Sequence, residues 1–319
     1  MPIWFTIDLD VEFDNERFGK PYGSKNPGIE EGIPLFLSLF KRFQIPATFH
    51  IQEQADIHDS ISATYPHIVE AIQKDGHEIG LHTHFEKGYD PESREREITS
   101  GIKRLEEKYG KIVSFRAGKY FTSESTIKIL EKYGIKYDVS PYKNTSIGNM
   151  RWYDIPDSPY HPSYEDITKT GKAEILMIPI TNKRLGIIID SSIPLELMKK
   201  GTNILISESE KIKQPIIIFL STHSWKCIDP VTNSFRKDII QRFEKYFEFL
   251  KRFSNVEFMN VRTLGEKWKQ GKFTPYFLDT PDLFGQNFSL FSPKRYFWFS
   301  KYFLFWRKYF KYTLFKKID

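Results

Sequence analysis

A single cysteine, Cys227, occurs in 319 residues, so no internal disulfide can staple the fold, and a reducing compartment suits the chain. No stretch reaches the roughly 18 consecutive apolar residues of a membrane-spanning helix. The start lacks the basic region, long apolar run and small-residue cleavage site of a secretory signal; Trp4-Phe5-Thr6-Ile7 reads instead as a first core strand. These absences predict a cytoplasmic protein. A general basic surface is missing too. The formal net charge is +6, but residues 285–319 hold eight Lys and Arg against Asp319 alone, so the remaining body is close to neutral. That distribution argues against a nucleic-acid partner, which would draw basic residues over the body.

What is present suits one large domain with an appendage. A hydrophobic share of 40% beside 28% charged residues is ordinary for a globular protein with a substantial core. Up to about residue 265, short β-rich runs alternate with helical patterns. The strands expected are Ile3–Leu9, Ala47–Ile51, Glu78–His82, Val113–Arg116, Ile175–Pro179, Ile216–Leu220 and Val256–Asn260. Helical stretches include Gly32–Phe43, Tyr65–Lys74, Glu92–Tyr109, Ser123–Tyr133 and Asp238–Phe253; Gly110 and Gly134 stand where two of them should end. Such alternation implies parallel strands joined by right-handed crossovers. About seven units favour a barrel, whose reactive residues belong at the carboxyl ends of its strands. The expected fold is an α/β, distorted (β/α) barrel over residues 1–270, with a C-terminal extension over 271–319 ending in an aromatic and basic helical tail.

The residues able to do chemistry fall at those strand ends. Asp8, Asp10 and Glu12 alternate along the first strand and share a face. Three carboxylates together repel unless a cation or a proton offsets them. The segment Asp75 to Glu86 holds His77, His82 and His84 with Glu78 and Glu86 around a short apolar strand. Imidazole and carboxylate are ligands that borderline divalent metals such as zinc favour. His82 and His84 project the same way and can reach one ion. His50 reads as a packed strand residue and Cys227 as a packed thiol. Trp225 reads as a pocket wall, with a sugar-stacking platform as the alternative. The proline- and tyrosine-rich stretch Asp154–Asp166 is expected as a loop over the barrel mouth.

Gly76-His77-Glu78-Ile79-Gly80-Leu81-His82-Thr83 resembles a signature of the polysaccharide deacetylase family, in which the last histidine binds metal. Pro46-Ala47-Thr48-Phe49, Asp8-Leu9-Asp10, Phe115-Arg116-Ala117-Gly118-Lys119-Tyr120 and Leu220-Ser221-Thr222-His223 resemble four further motifs, in family order over residues 6–223. The resemblance implies that Asp8 is the general base, Asp10 a metal ligand beside His82, Arg116 the residue orienting the base, and His223 the general acid. It implies a divalent metal, zinc first, with cobalt, nickel or manganese as alternatives, and an N-acetylated saccharide substrate. Tyr120 and Trp225 are the expected substrate contacts. The sequence departs from the pattern in three places. The second metal histidine is replaced by Glu86, so His84 or Glu86 completes the set. The proline after the arginine gives way to Ala117-Gly118. The aspartate that tunes the acid is not evident, with Asp138 and Asp154 as candidates.

The implied activity is metal-dependent removal of N-acyl groups from an amino sugar during cell-envelope glycan assembly. The alternatives are hydrolysis of a cyclic amide or ureide by the same site, or an inactive saccharide-binding relative. Residues 285–319 interleave 14 aromatics with their basic residues, and Lys294, Lys301 and Lys308 repeat every seven. This suits a peripheral contact with the inner face of the cytoplasmic membrane. The competing expectation is a terminal helix packed on the barrel or on a second subunit.

Overall fold

The computed structural model describes residues 1–14, 25–54, 60–84, 90–147, 150–188 and 193–283. Glu86 and the tail 285–319 lie outside the described residues. The parallel strands are β1 (Ile3–Val11), β2 (Thr48–Gln52), β3 (Glu78–Thr83), β4 (Ser114–Ala117), β5 (Tyr137–Asp138), β8 (Leu176–Met177), β9 (Ile216–His223) and β10 (Val256–Phe258). A two-stranded antiparallel pair, β6 (Ser146–Ile147) and β7 (Met150–Arg151), stands apart from them.

β9 pairs with β1 along Ile3–Asp10, while the other edge of β1 is shared by β10 at Ile3–Phe5 and β2 at Asp8–Val11. From β2 the sheet continues through β3, β4 and β5 to β8. At the seam, Thr181 N–H donates to the Phe219 carbonyl of β9 at 3.1 Å, and Tyr160 and Met177 exchange backbone bonds. The result is the distorted, partly open (β/α) barrel expected from the sequence. In the stretch 154–166, expected as a loop over the mouth, Tyr160 pairs backbone to backbone with Met177 of the short β8, which satisfies groups the strand leaves free, and Tyr164 Oη donates to Glu131 at 2.7 Å.

Strand alternation sorts the side chains into two populations. Ile7, Leu9 and Val11, with Phe49, Ile51, Ile79, Leu81, Phe115, Ile218 and Leu220, are buried apolar residues at positions alternating with the polar set. The polar set is Thr6, Asp8 and Asp10 of β1, Thr48, His50 and Gln52 of β2, Glu78 and His82 of β3, Ser114 and Arg116 of β4, and Asp138 of β5. All of these are buried as well. The helices are α1 (Ile33–Phe43), α2 (Ile61–Thr64), α3 (Pro66–Lys74), α4 (Pro91–Tyr109), α5 (Glu124–Lys132), α6 (Leu195–Ile212), α7 (Lys237–Leu250) and α8 (Val261–Gly271). Phe36 of α1 meets Phe243 of α7 edge-on at 5.2 Å, and Phe40 meets Phe49 of β2 at 6.1 Å, the geometry ring quadrupoles prefer.

Glu78, noted as a possible ligand, belongs to the opposite end of the barrel from the site. It accepts from Thr48 Oγ1 at 2.8 Å, from Ser114 Oγ at 3.0 Å and from the Arg262 N–H at 2.9 Å, in the first turn of α8. A carboxylate there satisfies donors a helix start leaves free. His77 is likewise structural, taking the Ala47 N–H at 3.2 Å. Ser123 accepts from the Thr126 N–H at 3.3 Å as the cap of α5, and Gly110 and Gly134 close α4 and α5 with positive φ.

Candidate active site

At the carboxyl ends of β1, β3, β4 and β9 the polar lining opens towards the mouth. Side-chain exposure rises from 0% at Asp8 through 4% at Asp10 and 12% at Glu12 to 26% at His223. The row His223–Asp10–His50–Gly80 runs across β9, β1, β2 and β3, and a second row joins Gln52, His82 and Arg116.

Glu12 is the hub. Its Oε2 lies 2.6 Å from His84 Nε2 and 3.4 Å from His82 Nε2; its Oε1 lies 3.2 Å from His223 Nδ1 and 3.3 Å from Trp225 Nε1. Burial alone would raise its pKa, but the three histidines hold it well below the usual carboxylate range. The ligand atoms of Glu12, His82 and His84 all fall within 4.8 Å of one another. Sequence reading put Glu12 on the same strand face as Asp8 and Asp10 but did not name it among the candidate ligands. Two residues beyond Asp10 in an alternating acidic run was the signal available.

The donor set suits a divalent cation. His82 Nδ1 lies 2.9 Å from the Arg116 carbonyl, to which it can only donate, and this fixes the tautomer with a lone pair on Nε2. That Nε2 is buried and makes no hydrogen bond. Two imidazoles and a carboxylate then converge as zinc-type ligands. Burial opposes a charge on His82, yet Asp10 and Glu12 nearby raise its pKa overall.

Asp10, expected among the ligands, lies outside the Glu12, His82 and His84 group and beside Arg116 and His223. Its Oδ2 lies 3.6 Å from Arg116 Nε and 3.7 Å from His223 Nδ1. Asp8, expected as the base, is fully buried one layer deeper; Oδ2 lies 3.4 Å from His50 Nδ1 and 3.9 Å from Arg116 Nη1. Burial would raise the Asp8 pKa, but Arg116 and then His50 bring it below the ordinary value. Asp8, Asp10 and His50 form a second, wholly buried group, so His50 is packed, as expected, but against a carboxylate. Arg116 is anchored by Nη2 donating to Ser221 Oγ at 3.0 Å and Nη1 to the Val139 carbonyl. It is expensive to bury, yet Asp10 and Asp8 keep its pKa raised.

The Tyr120 ring covers Arg116, its centroid 4.6 Å from the guanidinium carbon, and burial raises its phenol. Trp225 is only 8% exposed and its ring stacks on His223 at 5.0 Å and 12°. Neither Asp138 nor Asp154 serves His223. Asp138 accepts from the Ser140 N–H at 2.8 Å and its pKa is raised by burial, whereas Asp154 is exposed. The carboxylates beside His223 are Glu12 and Asp10. Ala117-Gly118 also has a reason. A Cβ on Gly118 would lie 2.9 Å from His84 Nδ1, so His84 reaches Glu12 over a residue without a side chain. The following Lys119 and Tyr120 both take positive φ, 54° and 57°, uncommon strain of the kind that gathers at functional sites. Cys227 is buried, its thiol pushed up to about 12 by burial, so it is inert.

Residues 21–137 match a family model described as polysaccharide deacetylase. A Mycobacterium smegmatis protein described as a polysaccharide deacetylase has a similar structure, with TM-score 0.61 and 17% identity over 88% of this chain and 94% of its own. An allantoinase called Puue gives TM-score 0.60 and 19% identity over 84% and 90%. A Pseudomonas aeruginosa PAO1 protein described as a polysaccharide deacetylase gives 0.57 and 17% over 84% and 91%. No curated protein sequence matches the chain. At such identities, likeness to these structures establishes the fold and not the substrate.

Proposed function

We propose, from the match of residues 21–137 to a polysaccharide deacetylase family model, that this chain hydrolyses the carbon–nitrogen bond of an N-acyl group on an amino sugar or saccharide precursor. The observation that carries the reading is the convergence of Glu12, His82 and His84 beside His223. Those three would hold a divalent cation, zinc by the chemistry of the donors. Such a cation, when bound, supplies Lewis acidity to the acyl oxygen and acidity to a water.

The protein's own residues divide the proton work. Asp10 accepts a proton from the attacking water, and Arg116, 3.6 Å away, aims it through a charge-assisted contact. His223 donates to the departing nitrogen, because an unprotonated amine is a poor leaving group. The base and the carboxylate ligand each sit two residues further along β1 than sequence resemblance implied. Position favours this shift: Asp8 is enclosed by His50 and Arg116, whereas Asp10 lies nearer the mouth beside His223, and a base has to reach the proton it removes.

A second reading, hydrolysis of a cyclic amide or ureide, draws support from the fold shared with an allantoinase. The assembled ligand trio speaks against a purely binding role. The basic and aromatic residues 285–319 support peripheral contact with an anionic membrane surface, where a lipid-linked saccharide would be met.

The test is hydrolysis of N-acetylated nucleotide sugars and oligosaccharides, read as free amine, with allantoin and other ureides in the same panel, read as the carboxylate that ring opening creates. Acetylated sugars should yield amine, chelation should abolish release, and added zinc should restore it. Activity only on ureides would replace the sugar reading by the second one. Release that is indifferent to chelation would sink the metal-assisted scheme.

A further inference from the structure

Trp225 was expected as a wall or platform offered to the substrate, but its surroundings give it other work. Its indole is nearly enclosed, 8% exposed. The indole N–H points at Glu12 Oε1, 3.3 Å away, while His84 lies 2.6 Å from Oε2 of the same carboxylate. One face of the ring lies flat on His223, centroids 5.0 Å apart. The segment bearing it is clamped from outside. A Cβ on Gly32 would stand 2.3 Å from the Ser224 carbonyl oxygen, and one on Gly28 would stand 2.8 Å from Trp225 Cβ. The turn leading into α1 is therefore pressed backbone to backbone on residues 224 and 225, and only glycine permits that approach.

We propose that Trp225 is a positioning residue that fixes Glu12 and His223 relative to each other, and that it is not a sugar platform. This rests on the hydrolase reading given above. A carboxylate has two oxygens and rotates about its last bond; the indole N–H on Oε1 selects the rotamer that turns Oε2 to His82 and His84. The flat stack holds the imidazole of His223 with its Nδ1 3.2 Å from Oε1 of that carboxylate. A tryptophan N–H has no acceptor lone pair, so it cannot compete with Glu12 for a cation. Outer hydrogen bonds of this kind typically change metal affinity or activity about 10–100-fold when removed.

Trp225→Phe keeps the ring over His223 and deletes only the donor. Zinc affinity, measured by competition with a chromophoric chelator, should fall about tenfold or more, and kcat should fall with it. KM for the N-acetylated substrate should stay within about twofold, because uniform substrate binding is not what the N–H supplies. Unfolding midpoints verify that the variant folds, and Trp225→Met removes the same donor should phenylalanine not be accommodated. Zinc affinity and kcat equal to the parent would overturn the proposal, as would a raised KM with unchanged kcat, the mark of a lost platform. A parent chain that binds no zinc would instead defeat the hydrolase reading, and this inference with it.

Discussion

Asp8 and Asp10 stand two positions apart on one strand face, yet burial and neighbours assign them different work. Asp8 is enclosed between His50 and Arg116, whereas Asp10 lies beside His223. Asp10→Asn should cost about 10²–10⁴ in kcat, the usual weight of a general base, with little change in unfolding midpoint. Asp8→Asn should act mainly on stability, by about 1–3 kcal/mol, since it unpairs buried partners. Paired kinetics and thermal unfolding on the two variants check this. Catalytic loss greater in Asp8→Asn, at unchanged stability, would return the base to Asp8. The sequence carried the acidic face of β1 and the identities of His82, His84, Arg116 and His223. It did not carry which carboxylate meets which imidazole. That depends on the stagger between β1 and its neighbours, which no spacing within one strand encodes.

Among elements, β3 and the turn after β4 matter most to the site. β3 rises about 3.3 Å per residue, so the histidine-rich string is split between the two ends of the barrel, His77 with the floor and His82 with the mouth. Periodicity predicted the strand but not that division, because a strand's two ends look alike until its neighbours are placed. The turn after β4 makes the same point through a departure from pattern. Ala117-Gly118 reads as a loss of the family's proline, yet Gly118 is the space that His84 occupies. Gly118→Ala should push the imidazole off Glu12, lowering zinc affinity by about tenfold while leaving the fold intact, on the scale of a lost supporting contact. Zinc titration of the variant decides this, and an unchanged affinity would show that His84 is not a ligand. Among the remaining elements the periodic α1, α3, α4, α5 and α7 were expected, whereas the 18-residue α6 was not named. The two-residue β8 fell inside the expected run Ile175–Pro179, but the two-residue β5 was missed, since so short a strand has no period to read.

The molecule as a whole separates its charge. Folding encloses the acidic and imidazole groups inside a barrel whose body is close to neutral, while the basic surplus collects in residues 285–319. Residues 272–283 run along the seam beside β9. Tyr276 Oη donates to the Pro215 carbonyl at 3.2 Å, the Leu278 N–H to Asp157 at 2.8 Å, and Thr280 Oγ1 accepts from Asn182 Nδ2 at 3.4 Å. The strap thus begins below β9 and reaches Asn182, past the carboxyl end of β8. Its last described residue, Leu283, is buried, so the core closes by that point, and a chain of residues 1–284 should fold and keep its activity on a soluble saccharide. Its loss should be one of adhesion. Each Lys or Arg near an anionic surface contributes about 1 kcal/mol, within a Debye length of about 10 Å at 0.1 M salt. The full chain should therefore float with vesicles containing anionic lipid, less so as salt rises, and the 1–284 chain should stay in the pellet fraction. Equal flotation of the two would assign the tail to packing on the protein or on a second copy, and would leave the barrel to find its saccharide in solution.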